Sequence, residues 1–584
     1  MERVKLALPP PTSPLEPPAK EQALTPREEL RQQLTGPGGP FELCTEDVRG
    51  ESMPVFKDRH RSIRALLQES ALHGDKEYIV QGDLRITYAD NVRRVASIAQ
   101  GLRSEYGIGK GDRVALLAAN GAEWVMTWWA VSSLGGILVA FNGLWTADEI
   151  AYAAGHSEPK LLIADRKRLA RIADLDLDVP TLEIESEFEA LMQAEAGTPL
   201  PDQAIDEDDP CLILYTSGTT GRPKGAVVSH RALVGFAKTQ AFHGLERYML
   251  AAQASGGDAG GGEPPAPCSL VTVPLFHLSG LYAAVIMMLS QGAKTVYRDA
   301  RFDPEDVMRI MEKEKVTIWS ALGSSGAMVI NHPSRERYDL SSLRNIGFGG
   351  APTSPDLQRR MKEAFPNAAG NLGLGYGLSE SGGMGTSIGG AELEARPTSV
   401  GLPALGHSLE IRDEDGKALP AGEFGEIHIR SPYLMLGYWQ NPDATAETIQ
   451  EGQWLATGDI GCLDEEGYLF INSRARDMIL RSGENVYPVE IEHRIDAHPS
   501  VGECAVVGVD HEELGQAVKA VVVAAPGAHL DPAELARWTG ETLATYKVPS
   551  EWEIRDAPLP RNAAGKVLKN VLTGEADNRQ IDEE

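Results

Sequence analysis

Cysteine is scarce in this sequence, with five in 584 residues. Cys44, Cys211, Cys268, Cys462 and Cys504 are scattered, odd in number and form no CxxC pair. That pattern argues against a disulfide framework or a cysteine-built zinc site, and it fits a reducing, cytoplasmic setting. Positive charge is short as well. The chain has 55 lysines and arginines against 84 aspartates and glutamates, a formal net charge of -29. Long-range attraction to nucleic acid or an anionic membrane is therefore not expected. A nucleotide can still be held where local N–H groups and cations gather, so the charge excludes a partner class rather than a chemistry. Uncharged runs are few. Residues 124–147 contain no charged side chain, but Ser132, Ser133, Gly135 and Gly136 interrupt them. The pattern predicts a buried helix, a tight turn and a buried strand, not a transmembrane span. The first residues, MERVKLALPPP, hold no apolar stretch long enough for a signal peptide.

The length predicts two to four domains. Residues 1–40, with PPPTSPLEPP, read as a flexible lead-in, and residues 1–52 as an N-terminal extension. Thr87 followed by an amphipathic stretch to Tyr106 predicts a capped helix, and 113–118 a strand. The middle of the chain then alternates. Strands are predicted at 269–277, 294–297, 316–322 and 345–348, and a buried helix at 280–289. Helices are expected to start at Asp303-Pro304 and Ser354-Pro355, a cap residue followed by proline in the first turn. Strand–helix alternation predicts an α/β protein with parallel-rich sheets covered by helices. Residues 248–267, rich in Gly, Ala and Pro, read as a surface insertion. Beyond about 459 a hairpin turn at 464–467, strands at 504–509 and 518–524 and a helix from Asp531-Pro532 predict a small α+β domain.

The strongest local signal is LILYTSGTTGRPKG at 212–225. A buried-strand run leads into glycines, hydroxyls and one lysine. Glycines let backbone N–H groups turn toward an anion, Thr216, Ser217, Thr219 and Thr220 offer hydroxyl donors, and Lys224 adds charge. The order of a Walker A loop is absent.

YTSGTTGRPKG resembles the phosphate-loop signature of the adenylate-forming superfamily, which includes acyl-CoA synthetases, amino-acid adenylation domains and luciferases. Further motifs similar to that family's follow in order over roughly residues 55–570: GFGGAP at 347–352, GYGLSE at 375–380, WLATGD at 454–459, NSRARDMI at 472–479 and LPRNAAGKVL at 559–568. The resemblance implies a large ATP- and acyl-binding domain over 53–472, a hinge at 473–478 and a small mobile C-terminal domain over 479–584. It implies that Thr216, Ser217, Gly218, Thr219, Thr220, Gly221 and Lys224 cradle the phosphates. Gly350, Ala351, Pro352, Tyr376 and Gly377 would border the adenine. Ser379 and Glu380 would handle phosphate and Mg²⁺, with Glu380 as the metal ligand. Asp459 would accept from the ribose hydroxyls, and Arg474 would contact ribose and phosphate. Arg476 falls at the hinge position, and Lys566 at that of the catalytic lysine. His277 would lie beside the acyl carboxylate and the thiol route, with Phe348, Gly349, Gly350 and Gly483 along the acyl and pantetheine path. Ser473 and Arg476 depart from the family's usual residues, as does Ser379, which keeps the hydroxyl.

The activity so implied joins a carboxylic acid to ATP as an acyl-adenylate, releasing pyrophosphate, and passes the acyl group to coenzyme A. ATP, Mg²⁺ and coenzyme A are the expected cofactor and co-substrates, and a homodimer is an open assembly. His277 stands where amino-acid-activating relatives carry aspartate, which argues against an α-amino acid. The overall look leans to a medium- or long-chain fatty acid. Aromatic and sterol- or terpenoid-derived acids stay open, as do a carrier-protein acceptor, a luciferase-like oxidation and a non-catalytic ligand-binding homologue.

Overall fold

The structure is a computed structural model that describes residues 24–194, 197–216, 223–254, 265–298, 302–349, 353–474, 477–481, 484–511, 514–562 and 565–576. Two large sheets set the architecture. In the first, seven strands run in the order Gly437–Tyr438, Lys224–Ser229, Pro210–Thr216, Ile137–Ala140, Arg113–Leu117, Leu161–Ala164, Thr181–Glu183. The last five pair in parallel. The second sheet has nine strands, with a parallel centre of Leu372–Tyr376, Asn345–Phe348, Ile318–Ser320, Cys268–Leu270, Lys294–Tyr297 and Glu77–Gln81.

Burial on both faces explains the strand sequences. In Arg113–Leu117, Val114 and Leu116 enter a core shared with the second sheet, while Ala115 and Leu117 enter a separate core on the outer face. A strand covered on both sides reads as a continuous apolar run. The helix Ala122–Ser133 lies in the shared core. Every residue except Glu123 is buried, including Trp124, Trp128 and Trp129, as expected of a helix apolar all round. Gly135 makes the turn at φ 68, and the strand Ile137–Ala140 follows. Among the described residues no helix is long and apolar enough to cross a membrane.

A third sheet contains Ser408–Arg412, Gly425–Arg430, Trp454–Leu463 and Leu469–Arg474. A fourth contains Ile479–Arg481, Val501–His511, Gly515–Ala524 and Glu551–Arg555, with its own core around Ile491, Val506 and Val522. The chain leaves the third sheet at Arg474 and enters the fourth at Ile479. The capped starts appear where the sequence places them. Thr87 caps Tyr88–Tyr106, Asp303 caps Pro304–Glu314, Ser354 caps Pro355–Ala364 and Asp531 caps Pro532–Gly540.

Three expectations need correction. Residues 24–52 are not a flexible extension. Thr25 and Glu28 form a reciprocal cap on the helix Pro26–Thr35, and Leu43–Val48 pairs with Glu51–Phe56 as a hairpin. The helix docks on His230–Ala254 through Leu30, Leu34 and Phe242 and through Arg31 Nε, which donates to Glu246 Oε1 at 2.5 Å. Residues 248–254 are not loop either, because that helix continues through its alanines to Ala254. Finally, the strand expected over 269–277 pairs only over Cys268–Leu270. The Val273 carbonyl and the Leu275 amide bond instead to the side chain of Asn120.

Candidate active site

The parallel strands of the second sheet all finish at one end, and the loops that leave them carry most of the chemistry. The strand Cys268–Leu270 leads to His277, Ile318–Ser320 to Gly323, Asn345–Phe348 to Gly349, and Leu372–Tyr376 to Ser379 and Glu380. Carboxyl ends of strands in open α/β sheets are where ligands bind. The first sheet reaches the same place. Thr216, at the end of Pro210–Thr216, donates from Oγ1 to Glu380 Oε1 at 3.1 Å. Asn120, just after Arg113–Leu117, donates from Nδ2 to the Val273 carbonyl at 2.7 Å and accepts from the Leu275 amide at 2.8 Å. That pair of bonds fixes the extended segment before His277.

Glu380 has a second donor, which no local motif singles out. The Tyr438 hydroxyl reaches Glu380 Oε1 at 2.9 Å, and the Tyr438 ring lies 5.1 Å from Lys224 Nζ. Burial pushes the phenol up, and the Glu380 charge adds to the shift, so the proton stays available for donation. The Glu380 carbonyl accepts from the Met435 amide at 3.0 Å, which fixes the backbone too. Lys224 pairs across the hairpin with Thr216, whose hydroxyl also reaches the Lys224 carbonyl at 3.4 Å. Donors thus gather on one carboxylate oxygen. Among the described residues no group of three or more His, Cys, Asp or Glu could hold a metal. A lone carboxylate suits Mg²⁺ that takes its other ligands from ATP phosphates and water, rather than an all-protein cage. The residues fit the ion the sequence implies.

Gly377 serves packing in the loop that carries Ser379 and Glu380. A Cβ there would lie 1.7 Å from the Gly383 carbonyl oxygen, so the GLSESGG segment folds back on itself only with glycine. Ser379 is buried within it.

The third sheet supplies Asp459 and Arg474, which face each other across its last two strands. Asp459 is only 5 % exposed. It accepts from the Tyr376 hydroxyl at 2.7 Å and pairs with Arg474 Nε at 3.3 Å. Burial, with the Asp459 charge second, pushes the Tyr376 phenol well above its ordinary value, so it stays a donor. Three expected nucleotide contacts therefore form one bonded cluster, Tyr376–Asp459–Arg474.

His277 is half-buried and sits at the cap of the turn 278–280, where Nδ1 faces Ser279 Oγ at 3.0 Å and the Ser279 amide at 3.4 Å. With Nδ1 accepting, the ring proton lies on Nε2. Burial pushes the imidazole down to about 4, so it is neutral at physiological pH. Phe236 and Tyr282 meet edge to face at 5.2 Å and lie against Gly383 of the loop that carries Glu380. A Cβ on Gly347 or Gly349 would make ordinary van der Waals contact, at 3.7 Å from Ser320 Oγ and from the Gly375 carbonyl oxygen respectively.

Lys566 belongs to the fourth sheet's domain and is carried on a tight loop. The Asn562 amide donates to the Lys566 carbonyl at 2.8 Å, and the Lys566 amide donates to Asn562 Oδ1 at 2.9 Å. Arg561 donates to the Gly565 carbonyl at 2.8 Å and to Glu503 Oε2 at 2.7 Å. This loop meets the large domain at Gly323. Ser217, Gly218, Thr219, Thr220, Gly221, Gly350, Ala351, Pro352, Arg476 and Gly483 lie outside the described residues.

Comparison with known proteins points to one family. The family described as AMP-binding enzyme matches residues 67–439, and its C-terminal domain matches residues 490–566. The chain is 34% identical over 498 residues to a feruloyl-CoA synthase of Amycolatopsis sp, covering 84% of this chain and 94% of that protein. It is 31% identical over 562 residues to the long-chain-fatty-acid–CoA ligase of Bacillus subtilis (strain 168), covering 89% and 96%. Among solved structures, ATP-bound MatB from Rhodopseudomonas palustris is 30% identical and superimposes with a TM-score of 0.74, covering 87% of this chain and 98% of that one.

Proposed function

Since the chain belongs to the AMP-binding enzyme family, we propose that the acid it activates is apolar, a medium- or long-chain fatty acid. The enzyme is an ATP-dependent, AMP-forming acyl-CoA ligase that uses Mg²⁺ and coenzyme A. The observation that carries the substrate reading is His277: a ring kept neutral by burial offers nothing to balance an ammonium group. An acid with an uncharged body suits such a ring.

A carboxylate repels nucleophiles until its oxygen is attached to a good leaving group. In the first half-reaction one carboxylate oxygen attacks the α-phosphorus of ATP, and the bond to pyrophosphate breaks. Both partners are anions, so the rate comes from positioning and charge stabilisation. Lys224 and the hydroxyls near Thr216 hold the β- and γ-phosphates, the Asp459–Arg474 pair fixes ribose and phosphate, and Lys566 meets the carboxylate and α-phosphate. Mg²⁺ on Glu380 would neutralise charge shared between the phosphate oxygens. In the second half-reaction the sulfur of coenzyme A, having lost its proton, attacks the acyl carbonyl, and the bond to AMP breaks. Rotation of the small domain about the 474–479 connection withdraws Lys566 between the two steps.

A pyrophosphate-release assay with a panel of acids, with and without coenzyme A, tests this. Fatty acids should give the highest kcat/KM, α-amino acids should be inert, and omission of coenzyme A should limit release to about one turnover. The 34% relative favours a second reading, a hydroxycinnamic acid. A clear preference for ferulate over fatty acids would establish that reading and overturn the first.

A further inference from the structure

The two domains touch at a pair of glycines. Gly323 lies just past the strand Ile318–Ser320, at φ +58, and Gly565 directly precedes Lys566, at φ +81. A Cβ on Gly323 would stand 2.8 Å from the Gly565 carbonyl oxygen and 3.0 Å from its Cα. A Cβ on Gly565 would stand 3.2 Å from the Gly323 Cα. Both neighbours are backbone, so no rotamer change relieves the crowding. The loop has little freedom to yield, because Asn562 and Arg561 already fix its amides and the Gly565 carbonyl. In this arrangement of the domains a Cβ at 323 would overlap the loop, and one at 565 would press on the Gly323 backbone.

We propose that Gly323 is a positioning residue for acyl-adenylate formation: its bare backbone is the seat on which the Lys566 loop rests, and it sets how deeply the lysine enters the cleft. The proposal rests on the reading that Lys566 serves the first half-reaction. A methyl at 323 would hold the loop off by several tenths of an ångström or more, and a misplacement near 1 Å costs on the order of 100-fold in rate. The crowding exists only while the loop is seated. Thioester formation proceeds with the lysine withdrawn and is indifferent to it.

The two half-reactions, measured separately on one preparation, give the test. Gly323→Ala and Gly323→Asn, the latter tolerant of a left-handed backbone, should each lower acid-dependent pyrophosphate release about 100-fold. Thioester formation from synthetic acyl-AMP should change less than about twofold. Gly416→Ala controls for backbone strain alone, since Gly416 has φ +79 and nothing within 4 Å of an added Cβ. It should alter neither step. Because the readout is a ratio within one sample, partial misfolding cancels. An equal fall in both steps at Gly323, or no fall, overturns the proposal. Lys566→Ala separates the seat from its premise: if it splits the half-reactions and Gly323 does not, the seat alone is wrong. If Lys566→Ala lowers both equally, the lysine assignment fails, and the seat with it.

Discussion

Phenylalanine at position 438 would keep the ring beneath Lys224 and delete one hydroxyl, which makes it a narrow probe of how Glu380 is held. Tyr438 and Thr216 both donate to Oε1, at 2.9 and 3.1 Å. A hydrogen bond to a charged group contributes about 1.5–3 kcal/mol net. Thr216 remains in the variant and water can reach the carboxylate, so the lower figure applies, about 1.5 kcal/mol or roughly tenfold. The loss falls on the orientation of one carboxylate, not on nucleotide contacts elsewhere. The half-activating Mg²⁺ concentration should therefore rise about tenfold at saturating ATP, and kcat should recover at high Mg²⁺. Pyrophosphate release titrated with MgCl₂ at fixed ATP measures both. An unchanged Mg²⁺ dependence would refute the role given to the hydroxyl. A uniform loss at every Mg²⁺ concentration would place its action elsewhere.

Two further predictions concern stability. Glu246 has a side chain only 1% exposed, and although burial alone would raise its carboxyl, bonds from His243 and Arg31 hold it at about 2. The stabilisation is therefore present above the ordinary 4.5 and lost as pH falls toward 2. Arg31→Ala at pH 7 should cost about 2 kcal/mol, less than a fully broken buried pair because Arg27 and His243 remain, and should lower the melting temperature by several degrees. An unchanged melting temperature would mean that the N-terminal helix is not held by this bond. Asp496 is the opposite case, raised to about 7 by burial and then by Glu492, with Asp356 of the large domain adding to it and Arg561 opposing. Its contribution is most favourable below 3.8 and is lost as pH rises through 7, so Asp496→Asn should raise the melting temperature at pH 8 and much less at pH 5. Equal shifts at the two pH values would contradict the assignment.

What the sequence made legible was local. Arg113–Leu117 and Ala122–Ser133 announce themselves because each is buried on every side, and the capped helix starts because cap and proline are neighbours in the chain. Thr216, Glu380, Asp459 and Lys566 were legible because each stands inside a compact motif. Tyr438, Asn120 and Gly323 were not. Tyr438 acts on a residue 58 positions away, Asn120 on a carbonyl 153 positions away, and Gly323 on a loop in another domain. None carries a local signature, since its function is created by packing. The same holds for residues 26–56, whose proline-rich approach hides a helix that is stable only against its partner. The expected strand stops short because, at Val273 and Leu275, the side chain of Asn120 takes the bonds that a neighbouring strand would have made.

Arg59 shows where this enzyme can be cut. The match to the AMP-binding enzyme family begins at residue 67, and trimming a gene to that border would look economical. Arg59 donates to both carboxylate oxygens of Glu46, to both of Glu207 and to the Phe56 carbonyl, with a side chain only 1% exposed. Removing it would leave Glu207 facing Arg61's absence as well, with Arg231 as its remaining cation at 3.0 Å. It would also uncover Phe242, against which Phe41 packs at 5.5 Å. The smallest unit that keeps these contacts therefore begins ahead of Thr25, some forty residues before the border that similarity alone would draw.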